Sequence, residues 1–419
     1  MTAERGAACV SMTRRAFLDR TIKLLLACAS PSQVKQVVAA MQHETAKTAK
    51  ASAPITLFLC GDVMTGRGID QVLPHPGNPV LHEPYASSAL AYVELAEARN
   101  GSIDKPVDFA YIWGDALSVF KQLTPDVRII NLETAITTSD DYWPGKAIHY
   151  RMHPKNIPCL TAAKIDCCVL ANNHVLDFGY PGLHQTLQTL HKAHIQTAGA
   201  GEDSVQAAAP AIMDVTGKGR VIVFAYADAS SGVSEDWAAS PRRPGVNYLK
   251  DFSTHTVKQL ARNIHTLKQA GDIVVVSIHW GANWGYGITP EQKSFAHRLI
   301  DEASVDILHC HSSHHPKGIE VYQHKPILYG CGDFLNDYEG ISGYEEYRDD
   351  LTLMYFVSMD PATGQLTRLH LVPIQIKHFR CNRASAQDAQ WLRDMLNTEG
   401  AKLGTRAHLN EDGSIELSW

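Results

Sequence analysis

From residue 55 onward the sequence predicts an α/β fold of layered sheets, on three observations. Short apolar runs, often β-branched, recur along the chain; each stops abruptly at polar or ionisable residues; and helical patterns lie between them. The runs are short, which is strand length rather than helix length.

Taken in order, the runs are ITLFLC, stopping at Gly61-Asp62; VRIIN, at Leu132-Glu133; and DCCVLA, at Asn172-Asn173-His174. DIVVVSI then stops at His279-Trp280-Gly281, VDILHC at His311-Ser312-Ser313-His314, and PILYG at Cys331-Gly332-Asp333-Phe334. In open α/β sheets ligands bind where the carboxyl ends of strands converge, so six such stops are expected on one rim. Helices are expected over 181–194, 251–269 and 290–303; the last has Thr289 as N-cap, Pro290 at the first helical position and Phe295, Leu299 and Ile300 on one face. Residues 73–113, with Pro74, Pro76, Pro79, Pro84 and Pro106 around a helical stretch near 85–98, read as an insertion that covers the site. After residue 350, DLTLMYFVSM and LTRLHLVPIQI alternate like antiparallel strands, a helix follows near 385–397, and the chain ends in a strand-like segment.

The expected organisation is an N-terminal segment over 1–54, a main domain over 55–358 and a C-terminal extension over 359–419. In the first, Arg14-Arg15 precede Phe17-Leu18 and a short apolar run broken by Lys23, while LLAC ends at Cys28. This reads either as a twin-arginine export signal or as a short basic amphipathic helix, followed by a linker. The first reading makes the protein exported or associated with the cell envelope; the second leaves it cytoplasmic. No run of about 20 apolar residues occurs, so membrane association is expected only through that signal.

The chain has 419 residues, 45% hydrophobic and 20% charged, with a formal net charge of -6, which argues against an extended nucleic-acid surface. Its nine cysteines are odd in number and contain no C-x-x-C pair, so neither a disulfide framework nor a zinc knuckle is indicated. Cys167 and Cys168 lie in an apolar run and are expected in the core.

Each polar stop has an ordinary explanation. Asp62 is placed to cap a helix, Asn172-Asn173 to make a turn, His279 to be a hydrogen-bonded core histidine, and Glu133 to face solvent. Together, carboxylate, carboxamide and imidazole at successive strand ends form the mixed oxygen and nitrogen set that suits Mn, Fe or Zn, as one or two ions. In the stretch DILHCHSSHH, strand alternation turns His309 away from Cys310, and His311 and His314 lie beyond the strand end. The latter two are therefore the expected ligands; His309 is expected to pack and His315 to be exposed.

The ordered motifs Gly61-Asp62, Asn131-Leu132-Glu133, Asn172-Asn173-His174, His279-Trp280-Gly281 and His311-x-x-His314 resemble those of the capsule-synthesis protein CapA family. GDVMTGRG, ANNHVLDFGYPGL, HHPKGIEVY and ILYGCGDFLND add to the likeness, which covers about 55–358. The resemblance implies a calcineurin-like metallophosphoesterase fold, a four-layer αββα sandwich, here with a small C-terminal β-rich extension. It also implies a role in poly-γ-glutamate capsule synthesis, with an anionic polymer or phosphoester as substrate and other synthesis subunits as partners.

By position, the resemblance assigns Asp62, Glu133, Asn173, His279, His311 and His314 to metal binding, with Asn131 as an alternative to Glu133. It assigns His174 to the leaving group. Asp177, three residues on, either orients His174 or caps the turn before Pro181, and Arg67 either binds substrate carboxylate or phosphate or forms a structural ion pair. Two departures stand out. Met64 occupies the histidine position of the Asp-x-His motif, and a thioether is a poor ligand for a hard ion, so one well-held ion is expected over two. Cys310 replaces the usual glycine before the last histidine pair, and its sulfur either packs or ligates.

Overall fold

The computed structural model describes residues 53–419, which form one compact unit. The expected export signal lies outside the described residues. Two sheets face each other. The centre of the first is parallel, with Ile55–Val63, Val127–Leu132, Cys167–Val169 and Gln196–Ala198 side by side. Beyond Ile55–Val63 it continues through the antiparallel strands Leu351–Asp360, Gln365–Ile376, Ile415–Ser418 and Arg406–Leu409. The second sheet has the order Ile319–Tyr322, Lys325–Leu328, Ile307–His311, Ile273–His279, Gly219–Ala227, Ala211–Val215, with its four inner strands parallel.

Strand alternation divides the second sheet between two cores. Val221, Val223, Ile273, Val275 and Ile307 point into the space between the sheets, packing with Leu57, Leu59 and Leu353 of the first. Ile222, Phe224, Val274, Val276 and Leu308 point outward onto Leu260 and Ile264 of helix Thr254–Leu267 and Phe295 and Leu299 of helix Pro290–Ala303. On the outer face of the first sheet lie Val119 and Phe120 of helix Ala116–Leu123 and Leu183 and Leu190 of helix Gly179–Lys192. The result is the expected four-layer αββα sandwich.

Helix Pro290–Ala303 begins and ends as its sequence predicts. Thr289 accepts from the Gln292 backbone while Gln292 returns the bond to the Thr289 backbone, a capping box with Pro290 at the first position. The helix expected at 385–397 runs from Ala386 to Gly400 with Ser385 as its cap. A domain boundary at 358/359 falls inside strand Leu351–Asp360, so the C-terminal strands prolong the first sheet. The 73–113 segment carries helix Leu90–Asn100. No helix among the described residues is long and apolar enough to cross a membrane.

After Lys325–Leu328 in the second sheet, the chain crosses through Tyr329–Gly332 to the first, where Asp333–Leu335 pairs in parallel with Ile55–Val63 and sets Asp333 opposite Asp62. PILYG therefore does not end directly in its polar stop: the stop begins a separate strand in the other sheet.

Candidate metal centre

The carboxyl ends of both sheets meet at one buried cluster. Asp62 and Glu133 arrive from the first sheet and its following turn, His279 and His311 as the last residues of neighbouring parallel strands in the second, in register with each other. Asp62, Glu133, His279 and His311 are all buried. Ligand atoms of Asp62, His279 and His311 lie within 4.8 Å of one another, as do those of Asp62, His314 and Asp333. His279 Nε2 is 3.1 Å from Asn173 Oδ1 and 3.9 Å from Glu133 Oε1, and His311 Nδ1 is 3.7 Å from Asp62 Oδ1. Ions bound at about 2.0–2.2 Å space their ligand atoms roughly 3 Å apart, so this Asp/His group fits a divalent ion.

Supporting hydrogen bonds aim these groups. Asn131 donates to both carboxylates, at 2.7 Å to Asp62 Oδ1 and 3.1 Å to Glu133 Oε2, and accepts from Asn172 at 3.0 Å. Asn131 therefore orients the carboxylates. Asn172 makes the turn: its Oδ1 accepts from the backbone of His174 and Val175.

A relay across the second sheet fixes His311. The Cys60 carbonyl, beside an irregularity in pairing between Leu59 and Asp62, accepts from His309 Nε2 at 2.6 Å. His309 Nδ1 is then a lone pair that accepts from Ser277 Oγ at 3.2 Å, leaving Ser277 Oγ to accept from His311 Nε2 at 2.8 Å. That places the proton of His311 on Nε2 and its lone pair on Nδ1, facing Asp62 and His279. Burial pushes the His309 imidazole down to about 4, so it serves as a neutral link. His279 Nδ1 and His311 Nδ1 stand 2.7 Å apart, closer than two lone pairs tolerate without a proton or cation between them.

His174 Nδ1 is held on two sides, by Asp177 Oδ2 at 2.7 Å and Lys146 Nζ at 2.8 Å. Lys146 also pairs with Asp177 Oδ1, and the Tyr150 backbone donates to Asp177 Oδ2 at 2.7 Å. Asp177 thus fixes the ring, and Nε2 faces Glu133 Oε1 at 3.7 Å.

The electrostatics of the cluster favour a cation. Burial, reinforced by Asp333, raises the Asp62 carboxyl to about 7; burial, reinforced by Asp62, raises Glu133 well above the carboxylate range. Burial also holds His174, His279 and His311 well below their ordinary value. His314 goes the other way: burial opposes its charge, but the Asp333 carboxylate 2.8 Å from Nδ1 overrides it. Neutral imidazoles beside crowded carboxylates are the donors a divalent ion requires.

Several expectations need correction. Arg67 is buried, with Nε and Nη2 on Asp337 and Nη1 on Glu83, and its guanidinium lies 3.8 Å from the Tyr92 ring centroid and 4.4 Å from that of Tyr150. Of its two expected roles these contacts make the structural ion pair, which ties the 73–113 segment through Glu83 to the main domain. His315 is fully buried rather than exposed: it accepts from the Gly285 backbone at 3.1 Å and stacks on Tyr347. Glu133 does not face solvent, and helix Gly68–Val72 has Arg67 rather than Asp62 at its N-cap. Cys310 packs in the outer core, and Met64 is buried with its sulfur 3.9 Å from the Tyr338 hydroxyl. The seven described cysteines are free, and Cys167 and Cys168 are in the core.

Sequence reasoning missed Asp333, Asn131's orienting role, Ser277 and Lys146. Asp333 had a signal, since it follows an apolar run; Lys146 had none, since it comes from an irregular loop.

The family model for "Bacterial capsule synthesis protein PGA_cap" matches residues 56–338. A probable polyglutamine synthesis accessory protein of Mycobacterium tuberculosis is 48% identical over 364 residues, covering 87% of this chain and 96% of that one. The PGA biosynthesis protein CapA of Bacillus subtilis is 26% identical over 265 residues, covering 62% of this chain and 65% of that one. Among solved structures, a novel phosphatase of Mycoplasma pneumoniae aligns over 77% of this chain and 94% of its own at 11% identity and a TM-score of 0.43. With the model matching well over half of its length, this chain belongs to the bacterial capsule synthesis protein PGA_cap family, the CapA proteins.

Proposed function

We propose that this protein is a metal-dependent hydrolase of capsule or poly-γ-glutamate synthesis, acting on an ester or amide centre of an anionic polymer or phosphoester and working with other synthesis subunits. The observation that carries the chemistry is His174: its Nδ1 is clamped by Asp177 and Lys146, and its Nε2 is aimed at Glu133 beside Asp62, His279 and His311. The names of the relatives in polyglutamine and PGA synthesis support the pathway.

Asp62, Glu133, Asn173, His279 and His311 would hold Mn, Fe or Zn in this reading, with His314 as a ligand grouped with Asp62 and Asp333 rather than with the other two histidines. A bound divalent ion supplies Lewis-acid polarisation and lowers the pKa of a water. His174 Nε2 faces the reacting centre and is the atom through which this ring would take part in proton transfer. Asp177 and Lys146 keep that ring from turning, and Asn131, donating to both carboxylates, holds them in place.

A second reading, a non-catalytic subunit that binds an anionic polymer, is favoured by Met64 at the Asp-x-His histidine position. Protein purified from metal-defined medium distinguishes them through bound metal and turnover of phosphoesters and γ-glutamyl polymer by wild type and His279→Ala. The hydrolase reading expects metal and turnover, both reduced in His279→Ala. Polymer binding without turnover supports the second reading, and the absence of both metal and turnover overturns the first.

A further inference from the structure

Met64 removes a nitrogen ligand from the first sheet, yet a second group of ligand atoms stands beside it. Asp333 is the parallel partner of Asp62, and neighbouring positions on parallel strands project to the same face. Asp62, His314 and Asp333 bring ligand atoms within 4.8 Å of one another. His314 Nδ1 lies 2.8 Å from Asp333 Oδ1, while Asn336 donates to Asp333 Oδ2 at 2.9 Å and so fixes the carboxylate. His314 itself is placed by its backbone N–H on the Asn283 carbonyl at 2.9 Å.

Charge points the same way. Asp62, Glu133 and Asp333 are each no more than 1% exposed. The nearby cations are committed elsewhere, Arg67 to Asp337 and Glu83 and Lys146 to Asp177. Three buried carboxyl groups beside one imidazole make an oxygen-rich donor set of the kind a hard divalent ion takes.

We propose that Asp333, entering from the strand that crosses between the sheets, replaces the missing Asp-x-His histidine and builds a second ion position with His314, Asp62 bridging the two ions. This rests on the metal-site reading above and extends it. Two carboxylates and one imidazole make this position harder than the one around His279 and His311, so it discriminates less against Mn²⁺ relative to Zn²⁺. Three protein ligands leave coordination positions open for solvent or a substrate oxygen.

The test is Mn²⁺ titration of metal-stripped protein with equilibrium dialysis and electron paramagnetic resonance. Wild type is expected to bind two ions per chain with an exchange-coupled spectrum. Asp333→Asn is expected to bind one, with an uncoupled six-line spectrum, and Met64→Leu to retain two. His314→Gln, read in the same way, keeps the test sound if Asp333→Asn misfolds. One ion in wild type, or two in both folded variants, overturns this second position while leaving the metal-site reading intact. No ion in wild type overturns both.

Discussion

Gly61 and Gly332 pass so closely that a Cβ on Gly61 would stand 1.6 Å from the Gly332 carbonyl oxygen. That carbonyl accepts from the Asp62 backbone at 2.9 Å, and Gly332 itself has the left-handed φ of 76°. The two glycines are what allow Asp62 and Asp333 to emerge side by side. Gly61→Ala cannot be accommodated by a side-chain rotation, because backbone is struck; it is expected to destabilise the fold by about 3 kcal/mol. Urea unfolding measures this, and an unchanged midpoint would refute the close approach.

Arg67 is expected to matter for stability rather than for substrate affinity. Arg67→Ala leaves Asp337 and Glu83 buried without their cation, a loss of about 3–5 kcal/mol. Replacing Arg67 by Met together with Asp337 by Leu and Glu83 by Gln is expected to recover part of it. If Arg67→Ala instead unfolds like wild type but raises KM selectively for anionic substrates, the side chain binds substrate after all.

Asp177→Asn is expected to lower turnover roughly 10- to 100-fold while leaving bound metal unchanged, because it loosens His174 without touching the ligand atoms. Metal analysis alongside steady-state kinetics separates the two effects. Loss of metal in this variant would place Asp177 in the metal-holding set.

Ser277→Ala breaks the relay from the Cys60 carbonyl to His311 and leaves the His311 tautomer unset. Metal affinity is expected to fall roughly 10- to 100-fold. Competition with a chromophoric chelator reads the dissociation constant directly, and an unchanged value would mean the relay does not direct the His311 lone pair.

Removing metal is expected to lower thermal stability, since the ion balances carboxylates that burial otherwise forces toward protonation. At a free-ion concentration about 100 times the dissociation constant the linkage is about 2.7 kcal/mol. Calorimetry with and without chelator gives the difference; identical transitions would argue against a resident ion.

By itself the sequence determined the layered α/β architecture and the strand ends carrying Asp62, Glu133, Asn173, His174, His279 and His311, because a buried strand is an apolar run and its end is where polarity returns. It also determined helix Pro290–Ala303, whose capping box is written within four residues. Only the tertiary structure decided which ends are neighbours. Asp333 read as part of the polar stop of PILYG, but the chain crosses at Tyr329–Gly332 to the other sheet and delivers it to Asp62. Arg67 had two open readings, substrate binding or an ion pair, until Glu83, Asp337, Tyr92 and Tyr150 closed around it, and His309 looked inert until Cys60 and Ser277 made it a link to His311. The physical reason is range: burial and periodicity are local properties that a residue's neighbours in sequence record, whereas the partner of a charge or the tautomer of an imidazole is set by groups up to 270 positions away.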